Sequence, residues 1–158
     1  MPKDSSKKKN VLSNKNPLVA AYLARARKDL HTCAVLLRLS IHDDAKSFAE
    51  LPKDFEAFNW ATVCAYYAAY AAICGIGHAM KTKIENHGFA QKFISTRLVK
   101  LFPEESLKLK GLIYSLYEAR LRANYNVSVN VAKEEAERAH QQALDFVNIC
   151  SRLLAAAG

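Results

Sequence analysis

The chain has 158 residues and a mass of 17.6 kDa, which suits one domain whose core needs neither disulfides nor a structural metal. Lysine and arginine outnumber the acidic residues 23 to 15, and the resulting net charge of +8 favours an anionic partner such as nucleic acid or a nucleotide. The four cysteines show no CxxC spacing, which argues against a zinc site and predicts reduced thiols in a cytoplasmic protein.

Residues 1–16 are predicted to form a flexible basic leader ahead of a single helical domain at residues 17–156. The leader contains five lysines and one aspartate, so it holds +4 of the total charge. No apolar segment of useful length follows these lysines, and the leader is therefore not predicted to be a signal peptide. Its lysines keep a flexible end soluble, and a second role as a non-specific arm for nucleic acid stays open.

Apolar residues recur every three or four positions from Pro17 to Leu39. This period predicts an amphipathic helix with Pro17 in its first turn. The stretch from Ser40 to Asp54 breaks the period with a proline and a pair of aspartates, and it is predicted to be a loop. A Ser47-x-x-Glu50 capping box within it can start one short turn.

The longest predicted helix runs from Phe55 to Lys83, with Asp54 as its N-cap. Alanine and glycine cover much of its surface, and a helix that is apolar nearly all round is normally a central one. Its length approaches that of a membrane span. Polar side chains such as Thr62 and His78 favour a buried core helix instead, so no membrane partner is predicted.

The second half of the chain continues the helical pattern. Residues 84–88 form a predicted turn in which Asn86 caps a shorter helix, Pro103 starts the next helix ahead of two glutamates, and Asn130 caps the last one. No β-hairpin signal accompanies them. The predicted fold class is all-α, an up-and-down bundle of four to five helices with the alanine-rich helix in the centre.

Candidate site residues lie in three segments: AYYAAYAAICGIGHAM, IENHG and EARLRANY. In this order and at these separations the segments resemble the HEPN family, the higher eukaryote and prokaryote nucleotide-binding domains. Small members of that family commonly show a tyrosine pair on the second helix, a histidine in the following turn and an arginine-x-x-alanine-aspartate-tyrosine stretch on the penultimate helix. The matching residues here are Tyr66, Tyr67, His87, Arg120, Ala123, Asn124 and Tyr125, with Asn124 in place of the aspartate.

The resemblance implies a helical bundle that binds RNA or nucleotides, usually as a dimer. Many small members of the family act as toxins beside a minimal nucleotidyltransferase antitoxin, so such an antitoxin is a possible partner. No cofactor and no metal are expected. The predicted binding residues are Arg120, Arg122, Asn124, Tyr125, Tyr66, Tyr67 and His87.

The chain departs from the active ribonucleases of the family, which carry a histidine four to six residues after the arginine. Tyr125 stands at that distance from Arg120, and the next histidine is His140. Histidine, with a pKa of about 6.5, suits proton removal near neutral pH, whereas tyrosine at about 10 does not. The chain is therefore expected to bind and not to cleave. Arg120 and Asn124 share a helix face and can address one phosphate and ribose, twice over in a two-fold dimer.

Two other functions stay open. In a ribonuclease toxin, His87 or His140 would be brought close in space and replace the missing histidine. In a helical dimer scaffold without a nucleotide role, Glu118 would pair with Arg122 and both arginines would solvate the end of a helix. In that second case the tyrosine pair would be core aromatics.

Overall fold

The computed structural model describes residues 12–125 and 130–156, and within these ranges the protein contains six α-helices, one 3₁₀ turn and no strand. The predicted all-α bundle is confirmed. The helices are α1 (Pro17–Ile41), α2 (Asp43–Phe48), α3 (Phe58–Ala79), α4 (His87–Thr96), α5 (Pro103–Tyr125) and α6 (Lys133–Ala155), with the 3₁₀ turn at Leu98–Lys100.

Helix α3 is the central helix, as its alanine content predicted, and it packs against α1, α4, α5 and α6. Within α3, Trp60 alone is exposed. Small residues let the neighbouring helices approach closely, and a Cβ atom on Gly75 would lie 3.4 Å from the Cβ of Tyr22 on α1. By length and composition α3 qualifies as a candidate membrane span, but 78% of the apolar window is buried inside the fold.

Local signals place several helix starts correctly. The side chain of Asn16 accepts an N–H of the first turn of α1 at 2.9 Å, and Pro17 occupies that turn. Asn86 accepts the N–H of Phe89 at 2.8 Å and caps α4, as predicted. Pro103 begins α5. Each of these signals acts between residues that are close in sequence, so it can be recognised before the fold is known.

The predicted start of the central helix is wrong. Asp54 does not cap it, because the helix begins at Phe58 and ends at Ala79. The N–H of Ala57 instead donates to the hydroxyl of Ser40, at the end of α1, at 2.8 Å. A buried side chain from another helix thus satisfies a donor at the start of α3.

Two further predicted starts are wrong. Residues 40–54 contain α2, and Ser47 lies in the last turn of that helix. Lys46 of α2 is buried, and its Nζ donates at 2.7 Å to a backbone carbonyl of the following loop. Asn130 does not cap the last helix, which begins at Lys133.

The packed structure begins before α1. Leu12 is buried, and the N–H of Ser13 donates to the carbonyl of Ala79 at 3.0 Å. Leu12 and Ser13, predicted as part of the leader, therefore belong to the packed structure, and Ser13 contacts the end of α3. The lysine-rich residues 1–11 lie outside the described part of the chain.

Helices α3 and α5 run antiparallel, and Asn59 connects them at one end of the bundle. Its Nδ2 donates to the carbonyl of Ala123 at 3.3 Å, and its Oδ1 accepts the N–H of Val131 at 3.1 Å. The beginning of α3 thus lies beside the end of α5 and the approach to α6. This register places Arg120, one turn before Ala123, beside the middle of α3.

Candidate functional site

Arg120 lies on the face of α5 that packs against α3, and only 8% of its surface is exposed. Its Nη2 donates to the hydroxyl of Tyr67 at 3.1 Å. The guanidinium carbon lies 5.7 Å from the ring centroid of Tyr67 and 5.9 Å from that of Tyr66, which is within the range of cation–π interactions. The tyrosine pair of α3 therefore supplies Arg120 with one hydrogen-bond acceptor and two aromatic faces.

His87, the first residue of α4, contacts the same tyrosines. Its Nδ1 and the hydroxyl of Tyr66 are hydrogen-bonded, and the two ring centroids are 5.2 Å apart. The ring centroid of Tyr67 lies 6.4 Å from that of His87. Because the Asn86 cap determines where α4 begins, it also determines where the imidazole meets α3.

Two more tyrosines, not among the predicted site residues, complete the arrangement. The ring centroids of Tyr70 and Tyr117 lie 4.9 Å and 5.6 Å from that of His87. Helical spacing was the available signal, because Tyr70 follows Tyr66 by four residues and Tyr117 precedes Arg120 by three. We call this set the Arg120 cluster: Arg120, Tyr66, Tyr67, Tyr70, Tyr117 and His87.

Burial sets the protonation states in the Arg120 cluster. Desolvation raises the pKa of Tyr66 above its ordinary value and raises that of Tyr70 to about 12. Desolvation and, after it, the charge of Arg120 lower the pKa of His87 below 6.5. Near neutral pH these two tyrosines are therefore phenols and His87 is a neutral imidazole.

These states determine the direction of the bond between Tyr66 and His87. The Tyr66 hydroxyl is almost fully buried, and the imidazole Nδ1 is the acceptor within its reach. The phenol O–H therefore donates to Nδ1, because a buried donor needs a partner. A neutral imidazole that accepts at Nδ1 carries its proton on Nε2.

The other predicted site residues are placed differently. Arg122 is exposed and forms an ion pair with Glu135 of α6, and not with Glu118 as the scaffold alternative supposed. Asn124 is exposed one turn beyond Arg120. The side chain of Tyr125 lies outside the described residues. The predicted residues that meet in one cluster are Arg120, Tyr66, Tyr67 and His87.

His140, the other histidine considered as a replacement base, lies in a different part of the molecule. It lines a groove of about 540 Å³ together with Arg38, His42 and Asp44. Desolvation lowers its pKa. Of these two histidines, His87 is the one that belongs to the Arg120 cluster.

Residues 12–125 and 130–156 contain no group of three or more histidine, cysteine, aspartate or glutamate side chains placed to hold a metal ion. All four cysteines are free thiols. A groove of about 940 Å³ lies between α5 and α6, lined in part by Leu107, Lys108 and Arg152. Its lining includes these two cations but no aromatic side chain, so it does not combine a cation with aromatic rings as the Arg120 cluster does.

No family model matches this chain, and a search of curated proteins found no relative. A functional assignment therefore depends on the residues of the Arg120 cluster and their chemistry.

Proposed function

We propose that this protein is a HEPN-like module that binds RNA or a nucleotide, with Arg120 as the residue that engages a phosphate. The observation that carries the proposal is a nearly buried arginine whose guanidinium lies against the rings of Tyr66 and Tyr67, which in turn contact the imidazole of His87. Burying a charge costs several kcal/mol before its interactions repay the cost. Such groups, with perturbed neighbours such as His87, concentrate at functional sites.

Phosphate suits this environment. A guanidinium presents five N–H donors in a planar fork whose geometry matches the oxygens of a phosphate. The surrounding rings lower the local dielectric, which strengthens the attraction between a cation and an anion. The Nε2–H of His87 adds a neutral donor in the same cluster.

The state of His87 supports binding over cleavage. A general base must present a nitrogen lone pair to the 2′-hydroxyl of RNA. In His87 the Nδ1 lone pair accepts the Tyr66 hydroxyl, and Nε2 carries the proton. His87 thus acts as a hydrogen-bond donor toward a ligand.

The module is further proposed to act as a cytoplasmic homodimer, with a small nucleotidyltransferase antitoxin as its protein partner. This part of the proposal is supported by the resemblance of the three motif segments to small HEPN proteins. Sedimentation analysis of the purified protein tests the dimer. An adjacent reading frame for a nucleotidyltransferase would support the partnership, and its consistent absence would count against it.

Binding is tested with a short, fluorescently labelled oligoadenylate at about 50 mM salt, where phosphate contacts are strong. We expect Arg120→Gln to weaken binding at least about tenfold, because a hydrogen bond to a charged group contributes roughly 1.5–3 kcal/mol. Arg122→Gln is the matched control. It removes the same charge from the same helix, but at an exposed position already paired with Glu135.

The control separates a specific site from general electrostatics. If both variants weaken binding equally, the net charge and not the Arg120 cluster attracts RNA, and the proposal fails. If the unaltered protein binds none of the oligoadenylate, the scaffold function is favoured. Circular dichroism of each variant verifies that the helical fold is intact.

A second candidate function is a ribonuclease with His87 as its base. The observation in its favour is that His87 contacts the two tyrosine rings against which Arg120 lies. To act as a base, His87 would have to give up the hydrogen bond from Tyr66 and present a free nitrogen lone pair. Cleavage of labelled RNA by the unaltered protein, lost in His87→Gln and kept in His140→Gln, would support it. RNA that stays intact through prolonged incubation would leave the binding module as the function.

A further inference from the structure

We propose that Trp60 stacks on the base of the nucleotide whose phosphate Arg120 holds, so that the site takes an unpaired, single-stranded ligand. The inference builds on the proposed function and names the part of the ligand that the Arg120 cluster does not explain. It rests on the exposure of Trp60, its position on α3 and the register between α3 and α5.

Trp60 is an exception within its helix. Its exposed fraction is 64%, although every other residue of α3 is buried or partly buried. Burying a large aromatic side chain is favourable, so an indole left open to water has a face available for a ligand. Trp60 is also the single tryptophan of the chain, which makes its fluorescence a specific reporter.

Trp60 lies on the same side of α3 as Tyr67. The two residues are separated by two turns, and at 3.6 residues per turn their directions differ by only about 20°. Tyr67 holds the Arg120 guanidinium through its hydroxyl. The indole therefore lies on the flank of α3 that leads to the guanidinium, at about 10 Å along the helix axis.

The register between α3 and α5 places Trp60 at the end of the bundle where α3 begins and α5 ends. Its neighbour Asn59 donates to the carbonyl of Ala123, so Trp60 lies level with the end of α5. Asn124 is exposed at that same level. When the phosphate of a ligand reaches Arg120, the rest of the ligand lies beside the indole of Trp60 and the amide of Asn124. A short single strand is long enough to reach from Arg120 to Trp60.

The charges beside this flank permit an anionic ligand. Cys64 lies between Trp60 and Tyr67 on α3. The charges of Asp29 and Arg25 on α1 are near enough to act on the pKa of its thiol, which burial raises. Both carboxylate oxygens of Asp29 accept from Nε of Arg25, at 3.0 and 2.9 Å. Because this pair is neutral, the acid does not repel a phosphate.

The chemistry of stacking defines the ligand class. An indole offers a flat π face that stacks on any base, so Trp60 confers little preference for base sequence. In a duplex, the neighbouring base pairs cover both faces of each base. Only an unpaired base can present a face to Trp60, and the site therefore prefers single strands over duplexes.

The test uses the full chain and measures both affinity and tryptophan fluorescence. Oligoadenylate is compared with the duplex that it forms with oligouridylate. We expect the single strand to quench Trp60 fluorescence and to bind at least about fivefold more tightly than the duplex. Trp60→Ala should weaken single-strand binding about tenfold, and Trp60→Phe, which keeps a ring, should weaken it much less.

The outcomes separate this inference from the proposed function. If Arg120→Gln weakens binding but Trp60→Ala leaves both affinity and duplex discrimination unchanged, the stacking role is wrong and the phosphate role stands. If Trp60→Ala instead converts a dimer to a monomer in sedimentation without changing affinity per protomer, Trp60 is a subunit contact and the inference fails. If no probe binds, both proposals fail together.

Discussion

At the scale of single residues, the charge of Arg120 acts on the pKa of His87 through the buried, poorly hydrated surroundings that the two residues share. Both lie against the same tyrosine rings, where few water molecules screen a charge. The guanidinium is always charged, so it opposes a second positive charge on the imidazole. Desolvation acts in the same direction, and the pKa of His87 is lowered by the two together.

This coupling gives a prediction that needs no ligand. Arg120→Gln should raise the pKa of His87 toward 6.5, because it removes the nearby positive charge. An NMR titration of the His87 imidazole measures the change. Arg122→Gln serves as the control, since Arg122 is exposed and paired with Glu135. A His87 pKa that moves equally in both variants would mean that Arg120 does not act on the imidazole at close range.

At the scale of elements, the close packing of α3 depends on where its glycines lie. Gly77 is near the end of α3, where the chain turns back. A Cβ atom there would lie 2.7 Å from the carbonyl oxygen of Thr82 and 2.9 Å from the side chain of Ile84. Gly111 on α5 has no atom within 4 Å of the same position. Neither glycine has a positive φ, so space alone distinguishes the two sites.

Alanine should therefore have opposite effects at these two positions. Gly77→Ala should lower the free energy of unfolding by about 1–3 kcal/mol, because it forces the backbone of the turn away from α3. Gly111→Ala should raise it by roughly 0.5–1 kcal/mol, because alanine loses less conformational entropy in an exposed helix. Urea denaturation measures both. Destabilisation of similar size in the two variants would contradict the packing described for the end of α3.

At the scale of the whole molecule, stability should depend on pH through histidines that the fold keeps neutral. Burial lowers the pKa of both His87 and His140 from 6.5. The folded state therefore binds fewer protons than the unfolded state once the pH falls below about 6.5. By linkage, the free energy of unfolding decreases as the pH falls through this window, and it levels off below the folded-state pKa values.

Urea denaturation from about pH 7.5 to about pH 5 measures this dependence. We expect the double variant His87→Gln, His140→Gln to lose less stability on acidification than the unaltered protein. His31→Gln is the control variant, because it removes a histidine from an exposed position on α1. An equal loss in the double variant would show that other groups cause the acid sensitivity.

The sequence by itself determined which helix is central and where every helix except α2 lies, whereas the residues of α2 were predicted to be a loop. The cap at Asn86 and the starts at Pro17 and Pro103 were predicted, because the groups involved are a few residues apart. The alanine and glycine content of α3 predicted its central place, since only small side chains permit neighbours on several sides. The motif segments indicated seven candidates for the site: Arg120, Arg122, Asn124, Tyr125, Tyr66, Tyr67 and His87.

Only the tertiary structure decided which of those candidates meet. Ser40 replaces Asp54 at the start of α3, Tyr117 joins the Arg120 cluster, and Arg122 pairs with Glu135 away from that cluster. Each of these contacts joins groups from different helices. Helical periodicity fixes the direction of a side chain around its own axis, but the partner it meets depends on how neighbouring helices are shifted along one another. That shift is set by packing over the whole bundle, so no single segment contains it.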